Sequence, residues 1–308
     1  MKHPIKIGTR ESQLAEWQAR LVQNLLKENK VDSELVFIKS EGDIDTVTPL
    51  YELGVQGIFT KSLDMALLAG RIDIAVHSMK DVPTKLAVGL MQAAVLKRAS
   101  YKDIIVYKDD PSFLKDKQSV ATIGTSSTRR RAQWLHRYPN HSIENLRGNI
   151  NTRLRKIGEN NWKGAIFAAA GLERINLRPS NSMDLDWMLP SPAQGAIVIV
   201  CRTGDKRCIE ACSPLNDDVT ALCTKIEKDF LRTLSGGCST PISGLAITEN
   251  DQIIFKGNIC SVDGKMIIPV MKKSLRSEAS NLGIEAGNEL LQKIEVREII
   301  EEIKDAKG

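Results

Sequence analysis

Three kinds of side chain in this sequence could do chemistry: a cluster of guanidinium groups, a carboxylate that follows a lysine in a short loop, and a thiol in a glycine-rich loop. Between Thr128 and Lys163 the chain carries nine basic residues, among them Arg129, Arg130, Arg131, Arg137, Arg147, Arg153 and Arg155, against the two acids Glu144 and Glu159. A guanidinium is a planar fork that matches carboxylate or phosphate bidentately, so the imbalance predicts a multiply anionic ligand. Arg131, Arg137 and Arg155 read equally well as a solvated helix face. Arg129, Arg130 and Arg147 stand instead at strand-to-helix turns, where helix N-terminal amides and Ser/Thr hydroxyls also favour anions. No GxxxxGK[ST] or GxGxxG motif accompanies them, so a nucleotide has no loop of the expected kind.

Asp81 follows Lys80 at the end of an apolar run and precedes Val82-Pro83, which fixes the loop. It reads either as a turn-forming Asp or as a single carboxylate in a cationic site, suited to stabilising a cationic intermediate or handling a proton. Cys238 follows Gly236-Gly237 in a loop that opens at the end of a helical pattern, off any periodic apolar face. A thiolate there could serve as nucleophile or attachment point, and a structural thiol is the plainer alternative.

The elements that must position these groups alternate. A strand at Ile5 to Gly8 and a turn at Thr9 to Ser12 lead into a helix marked by Leu14, Trp17, Leu21, Val22 and Leu25 at 3.6-residue spacing. Glu34 to Lys39 is the next strand, Lys61 to Ala69 a helix stopped by Gly70, and Ile72 to Val76 a strand ending in the loop His77 to Pro83. A second series follows: strand Val120 to Ile123, turn Gly124 to Ser127, helix Thr128 to Tyr138, strand Ile143 to Leu146, turn Arg147 to Asn149, helix Asn151 to Ile157 and strand Ala165 to Ala169. Ala196 to Val200, after the Pro190-Ser191-Pro192 breaker, reads as a strand that crosses back into the first domain. A helix over Val219 to Leu234, the Cys238 loop, three strand-like runs with turns near Asn250-Asp251 and Asp263-Gly264, and helical patterns complete the chain. The alternation predicts open, mainly parallel sheets with helices on both faces. Ligands in such sheets bind at the carboxyl ends of the strands, where the four polar turns lie, and the sheets would make one cleft if they face each other. No internal repeat is visible. The expected domains are 1–97 with 196–214, then 98–195, then 215–308.

Bulk properties exclude several classes. With 308 residues, 42% hydrophobic and 26% charged, the chain fits two or three globular domains. A net charge of +5 does not by itself argue for nucleic acid, and aromatics at 5% offer no stacking platform. The apolar runs are far shorter than the roughly 20 residues needed to span a bilayer. The N-terminal residues lack the pattern of a secretory signal, so the expected location is cytoplasmic and the six cysteines, which run from Cys201 to Cys260, are expected to be reduced. Cys201, Cys208 and Cys212 form no CxxC pair and have no nearby histidine, so no metal site is expected and buried thiols are the better reading.

Six segments in order resemble the porphobilinogen deaminase family: Gly8 to Ala15, Ala75 to Thr84, Ile123 to Arg130, Leu146 to Asn149, Ala170 to Arg174 and Gly236 to Cys238. The resemblance implies an α/β fold of two periplasmic-binding-protein-like doubly wound domains plus a small α+β C-terminal domain. It implies a dipyrromethane cofactor, made from the enzyme's own substrate and joined by a thioether to Cys238. The implied activity condenses four porphobilinogen molecules head to tail, each bringing two carboxylates that the arginine excess would receive. By motif position, Asp81 and Lys80 would be catalytic. Ser78, Lys80, Asp81, Thr125, Ser126, Ser127, Arg129, Arg130, Arg147, Gly148 and Gly171 would hold the cofactor with Cys238. Arg10, Ser12, Phe59, Arg147, Arg153, Arg174 and Gln194 would hold the substrate and growing chain. Loss of ammonia gives a cationic azafulvene, attacked by the free α-carbon of the terminal pyrrole while Asp81 stabilises the charge. A monomer with no membrane or nucleic-acid partner is expected.

Glu41, Gln56 and Lys102 depart from the family's commoner pattern, where basic residues, lysine and arginine are frequent. They bear on the loop around Leu50 to Phe59 and on contacts to the growing chain. Two rivals remain at this level, a solute receptor without catalysis and a nucleic-acid binder that uses the arginine cluster.

Overall fold

Strand order rather than strand count defines this fold. The computed structural model describes residues 3–39, 60–237 and 240–305. These residues fall into two compact units, one built from 3–39, 60–99 and 195–222, the other from 100–194, 223–237 and 240–305. Glu41, Gln56, Phe59 and Cys238, to which the sequence gives roles, lie outside the described residues.

The first unit contains β1 (Ile5–Thr9), α1 (Gln13–Glu28), β2 (Ser33–Phe37), α2 (Lys61–Leu68), β3 (Ile74–Ser78) and β4 (Leu90–Val95). The second contains β5 (Asp103–Tyr107), β6 (Thr122–Gly124), α3 (Thr128–Arg137), β7 (Ser142–Glu144), α4 (Ile150–Glu159), β8 (Gly164–Ala168), α5 (Ala169–Arg174) and β9 (Ser182–Asp184). The chain then returns to the first unit with β10 (Ile197–Arg202) and α6 (Lys206–Cys212), and α7 (Asp218–Thr233) leads out of it again. Last come β11 (Ile242–Glu249), β12 (Gln252–Cys260), β13 (Ile267–Leu275), α8 (Leu282–Leu291) and α9 (Ile294–Asp305).

The first sheet has the order β2-β1-β3-β10-β4 and the second β7-β6-β8-β5-β9. In the first, β1 pairs in parallel with β2 and β3, while β10 is antiparallel to both β3 and β4. In the second, β6 is parallel to β7 and β8, while β5 is antiparallel to β8 and β9. Four strands of each sheet therefore run one way and the fourth in order opposes them, so each sheet is mainly parallel. The opposing strand of each sheet is the one next to a chain crossing: β5 opens the second unit and β10 reopens the first. A third, antiparallel sheet, β11-β12-β13, turns at Asn250-Asp251 and at Ser261 to Met266.

The structure corrects several boundaries. The strand predicted over Ile72 to Val76 lies two residues later, because the amides of Arg71 and Ile72 close a turn on Ala66 O, and His77 and Ser78 become its last residues. The strand predicted over Ile143 to Leu146 is Ser142–Glu144. Strands β4, β5 and β9 carry no clear period in the sequence and were not predicted.

Burial follows the alternation. One face of the first sheet (Ile5, Ile7, Ile74, Val76, Ile197, Ile199) packs on Ala19, Val22 and Leu26 of α1 and on Cys208 and Cys212 of α6. Desolvation raises the Cys201 and Cys208 thiols and pushes Cys212 up to about 12, so these three are core residues and not nucleophiles.

Candidate active site

In the first unit the relevant side chains sit at the carboxyl ends of β1 and β3. Ser12 caps α1: its Oγ accepts the Ala15 amide at 3.4 Å, which leaves Arg10 between the strand and the helix start. Beyond β3 the chain makes one tight 3₁₀ turn, Met79–Asp81, closed by the Val82 amide on Met79 O at 3.2 Å. Met79 is buried under this turn, and Lys80 and Asp81 are half-buried above it. Ser78 Oγ accepts Gln18 Nε2 of α1 at 2.8 Å, so the turn is tied to the helix that follows β1. His77 is buried, and its Nε2 has no hydrogen-bond partner among the described residues. Burial first, and then the charge of Arg10, pull the His77 pKa down to about 4, so the imidazole is neutral.

The second unit repeats this arrangement. Its β6 ends at Gly124, and Ser127 caps α3 by accepting the Arg130 amide at 3.4 Å. Thr125 is buried, with Oγ1 accepting the Ser127 amide at 3.3 Å. Ser126 Oγ donates to Leu146 O at 2.7 Å, joining the β6 turn to the Arg147 turn after β7. Asn149 caps α4 through Thr152, and Arg153 Nε donates to Gly148 O at 2.7 Å. Gly148 has φ +109°, and a Cβ there would meet Thr152 Cγ2 at 2.7 Å, so only glycine brings the backbone through this turn. Arg147 is buried, and Arg153 is half-buried at the same turn. Gly171 lies in the short α5 after β8; Arg174 ends that helix, with its pKa pulled down to about 10 by desolvation against the opposing charge of Glu173. The polar turns of both sheets thus stand at carboxyl strand ends, each within its own unit.

Arg129 and Arg130 are not surface groups. Both are buried around Asp103, the first residue of β5, which is itself fully buried. Burial alone would raise the Asp103 pKa, but Arg129 and Arg130 outweigh it and hold the carboxylate well below its usual range. Gln194 is fully buried too, its Nε2 donating to Tyr101 O at 2.8 Å and to Asp103 Oδ1 at 3.0 Å. Lys102 is ion-paired with Asp184 at 2.9 Å and with Asp186 at 2.7 Å. Sequence reasoning missed Asp103, His77 and Gln18. An Asp before Ile104-Ile105-Val106 looks like a turn residue unless the strand it starts is identified. Around Cys238, the Gly237 amide donates to Thr240 Oγ1 at 3.1 Å and Thr240 Oγ1 donates to Gly237 O at 2.7 Å. The described residues contain no group of His, Cys, Asp and Glu that could hold a metal ion.

Two doubly wound α/β units with cationic, hydroxyl-lined strand ends define a binder of anionic small molecules. The chain belongs to the porphobilinogen deaminase family: residues 5–210 match "Porphobilinogen deaminase, dipyromethane cofactor binding domain", and residues 221–292 match "Porphobilinogen deaminase, C-terminal domain". It is similar to the porphobilinogen deaminase of Syntrophotalea carbinolica, 40% identical over 93% of this chain and 92% of that protein. It is also similar to the chloroplastic porphobilinogen deaminase of Pisum sativum, 39% identical over 94% of this chain and 81% of that one. Among solved structures, the Bordetella pertussis BvgS periplasmic VFT2 domain matches 70% of this chain and 90% of its own length at 13% identity, with a TM-score of 0.42. The chain is accordingly an enzyme, a transferase of tetrapyrrole synthesis that condenses porphobilinogen with release of ammonia.

Proposed function

We propose that this chain carries its dipyrromethane as a thioether on Cys238 and extends it by four porphobilinogens before hydrolysis releases hydroxymethylbilane. The observation that carries the reading is the buried cationic surplus in the second unit, two guanidiniums against one carboxylate at the first turn of α3. Such a surplus is costly without a further anion, and a group bearing acetate and propionate arms fits it. Arg129, Arg130, Arg147, Ser126, Ser127 and Thr125, with the Gly148 and Gly171 backbones, would hold that group from the second unit; Ser78, Lys80 and Asp81 would do so from the first. When bound, the dipyrromethane supplies the free pyrrole α-carbon on which the product grows.

The chain's own residues then have separable tasks. Arg10, Ser12, Phe59, Arg147, Arg153 and Arg174 bind the carboxylates of substrate and product, and Gln194 acts on them through its buried contact with Asp103. Asp81 accepts the pyrrole N–H of the incoming substrate and stabilises the positive charge that develops as ammonia leaves. Lys80 beside it anchors a carboxylate and keeps a cation next to the reacting ring. A half-buried carboxylate on a 3₁₀ turn that Ser78 ties to α1 suits that task, since its backbone is held in place before the charge develops.

We further propose three domains, 1–97 with 196–214, 98–195 and 215–308; the separate third sheet and the break between the two family matches support them. A cytoplasmic monomer without nucleic-acid partners completes the proposal. Among the described residues, buried thiols at Cys201, Cys208, Cys212 and Cys260 suit a reducing compartment, and no described helix is long and apolar enough to cross a membrane. The test is the intact mass of the wild type and of Cys238→Ala after incubation with porphobilinogen, with an acid aldehyde colour reaction for pyrroles. Added mass and colour in the wild type alone are expected. The same added mass and colour in both proteins would move the attachment away from Cys238.

A further inference from the structure

Arg129, Gln133 and His136 lie one above another on α3, at helical spacings of four and three residues. Gln133 is buried and uses both ends of its side-chain amide. Its Oε1 accepts the Leu189 amide at 2.9 Å, while its Nε2 donates to Leu189 O at 2.9 Å and to Ser243 Oγ at 3.0 Å. The side chain thus pairs with both backbone groups of one residue, as a neighbouring strand would.

The sequence explains why a side chain takes that place. Leu189 opens the run Leu189-Pro190-Ser191-Pro192, whose two prolines have no amide to give to a ladder. Other elements hold the run instead: α3 holds Leu189 through Gln133, and β11 holds Pro190 O through the Gly244 amide at 3.1 Å. Leu189 O has a second donor, Arg129 Nη1 at 2.8 Å, the nitrogen that also lies 2.8 Å from Asp103 Oδ2. One carbonyl therefore joins Gln133 to Arg129 across a turn of α3. Ser243, the remaining partner of Gln133, is fully buried in β11, the strand that follows the Cys238 loop. His136 meets the same antiparallel sheet elsewhere: its Nδ1 donates to Gly264 O in the β12-β13 turn at 2.9 Å.

We propose that Gln133 is a positioning residue for pyrrole binding: it fixes the Leu189 carbonyl, and that carbonyl orients Arg129 towards the anionic arms. The assignment rests on the cofactor reading above. Methionine at this position would fill the same space but leave the Leu189 amide unpaired, whereas asparagine would keep the amide but fall a methylene short of Leu189.

The experiment compares wild type, Gln133→Met, Gln133→Asn, Ser243→Ala and His136→Ala, each at a temperature where circular dichroism shows it folded. Pyrrole load by intact mass after incubation with porphobilinogen, KM, kcat and Tm are read for each. Gln133→Met is expected to raise KM by about tenfold, with kcat changed by less than about threefold, and to carry several-fold less pyrrole. Gln133→Asn should move KM and load in the same direction, and it carries the test if the methionine protein does not fold. Ser243→Ala and His136→Ala loosen α3 on the antiparallel sheet but leave the Leu189 pair in place, so Tm should fall while KM stays within about twofold of the wild type. Wild-type KM and load in a folded Gln133 variant would make that residue purely structural and overturn the assignment. A rise in KM for Ser243→Ala equal to that for Gln133→Met would route the effect through β11 and overturn it as well. A wild type that takes up no pyrrole removes the cofactor reading together with the assignment, whereas either of the two preceding outcomes beside a loading wild type removes the assignment alone.

Discussion

Two histidines show how single residues set the pH range of this fold. His141 accepts Trp134 Nε1 on Nδ1 at 3.1 Å, so its proton sits on Nε2, 2.9 Å from Ser119 Oγ. A second proton on Nδ1 would set two N–H donors against each other, and burial lowers the His141 pKa. Burial and Arg10 likewise lower His77, to about 4. Both folded-state values lie below the ordinary value of about 6.5, so the unfolded chain binds more protons and stability rises with pH across this window. Stability is expected to be complete above about pH 6.5 and to decline as the pH falls towards 4, with His77 accounting for roughly 3 kcal/mol. Urea unfolding at stepped pH should show that decline, and His77→Gln should flatten it. An unchanged slope in the variant would contradict the buried neutral state. Neither histidine could be identified from sequence, because each depends on contacts across elements: His77 with Arg10, and His141 with Trp134 and Ser119.

At the scale of elements, helix packing in the second unit depends on a close approach that one residue type allows. A Cβ on Gly283 of α8 would lie 1.9 Å from Ile226 O of α7, a backbone atom that no side-chain rotation can move. Gly283→Ala must therefore push the two helices apart, at a cost of roughly 3 kcal/mol. A fall in the urea midpoint with unchanged m is the expected measurement, and an unchanged midpoint would show that the helices can shift freely. The periodic helices and the capped turns were legible in the sequence, since Ser12, Ser127 and Asn149 stand where a cap and a 3.6-residue apolar pattern coincide. The short or mixed strands β4, β5 and β9 were not. The three residues of β9 give too little alternation, and β4 interleaves Gln92 and two alanines with its apolar residues. The loss of β5 also hid Asp103, and with it the buried ion pairs that Asp103 makes with Arg129 and Arg130.

Across the whole molecule, one strand order occurs twice, although no repeat is visible in the sequence. Each unit needs only a first strand, a capped helix and a fourth strand that opposes the rest, and many sequences satisfy those demands. What the sequence did carry was the chemistry at the strand ends, because those turns require particular residue types: hydroxyl caps, a glycine with positive φ at Gly148, and the Lys80-Asp81 turn. In the proposed function many cations bind the anionic arms, but one carboxylate stabilises the developing charge. The most direct test is Asp81→Asn, assayed in parallel for pyrrole load by intact mass and for hydroxymethylbilane formation. Load equal to that of the wild type with turnover reduced by about a hundredfold or more is the predicted result. Turnover near that of the wild type in a fully loaded protein would contradict the account.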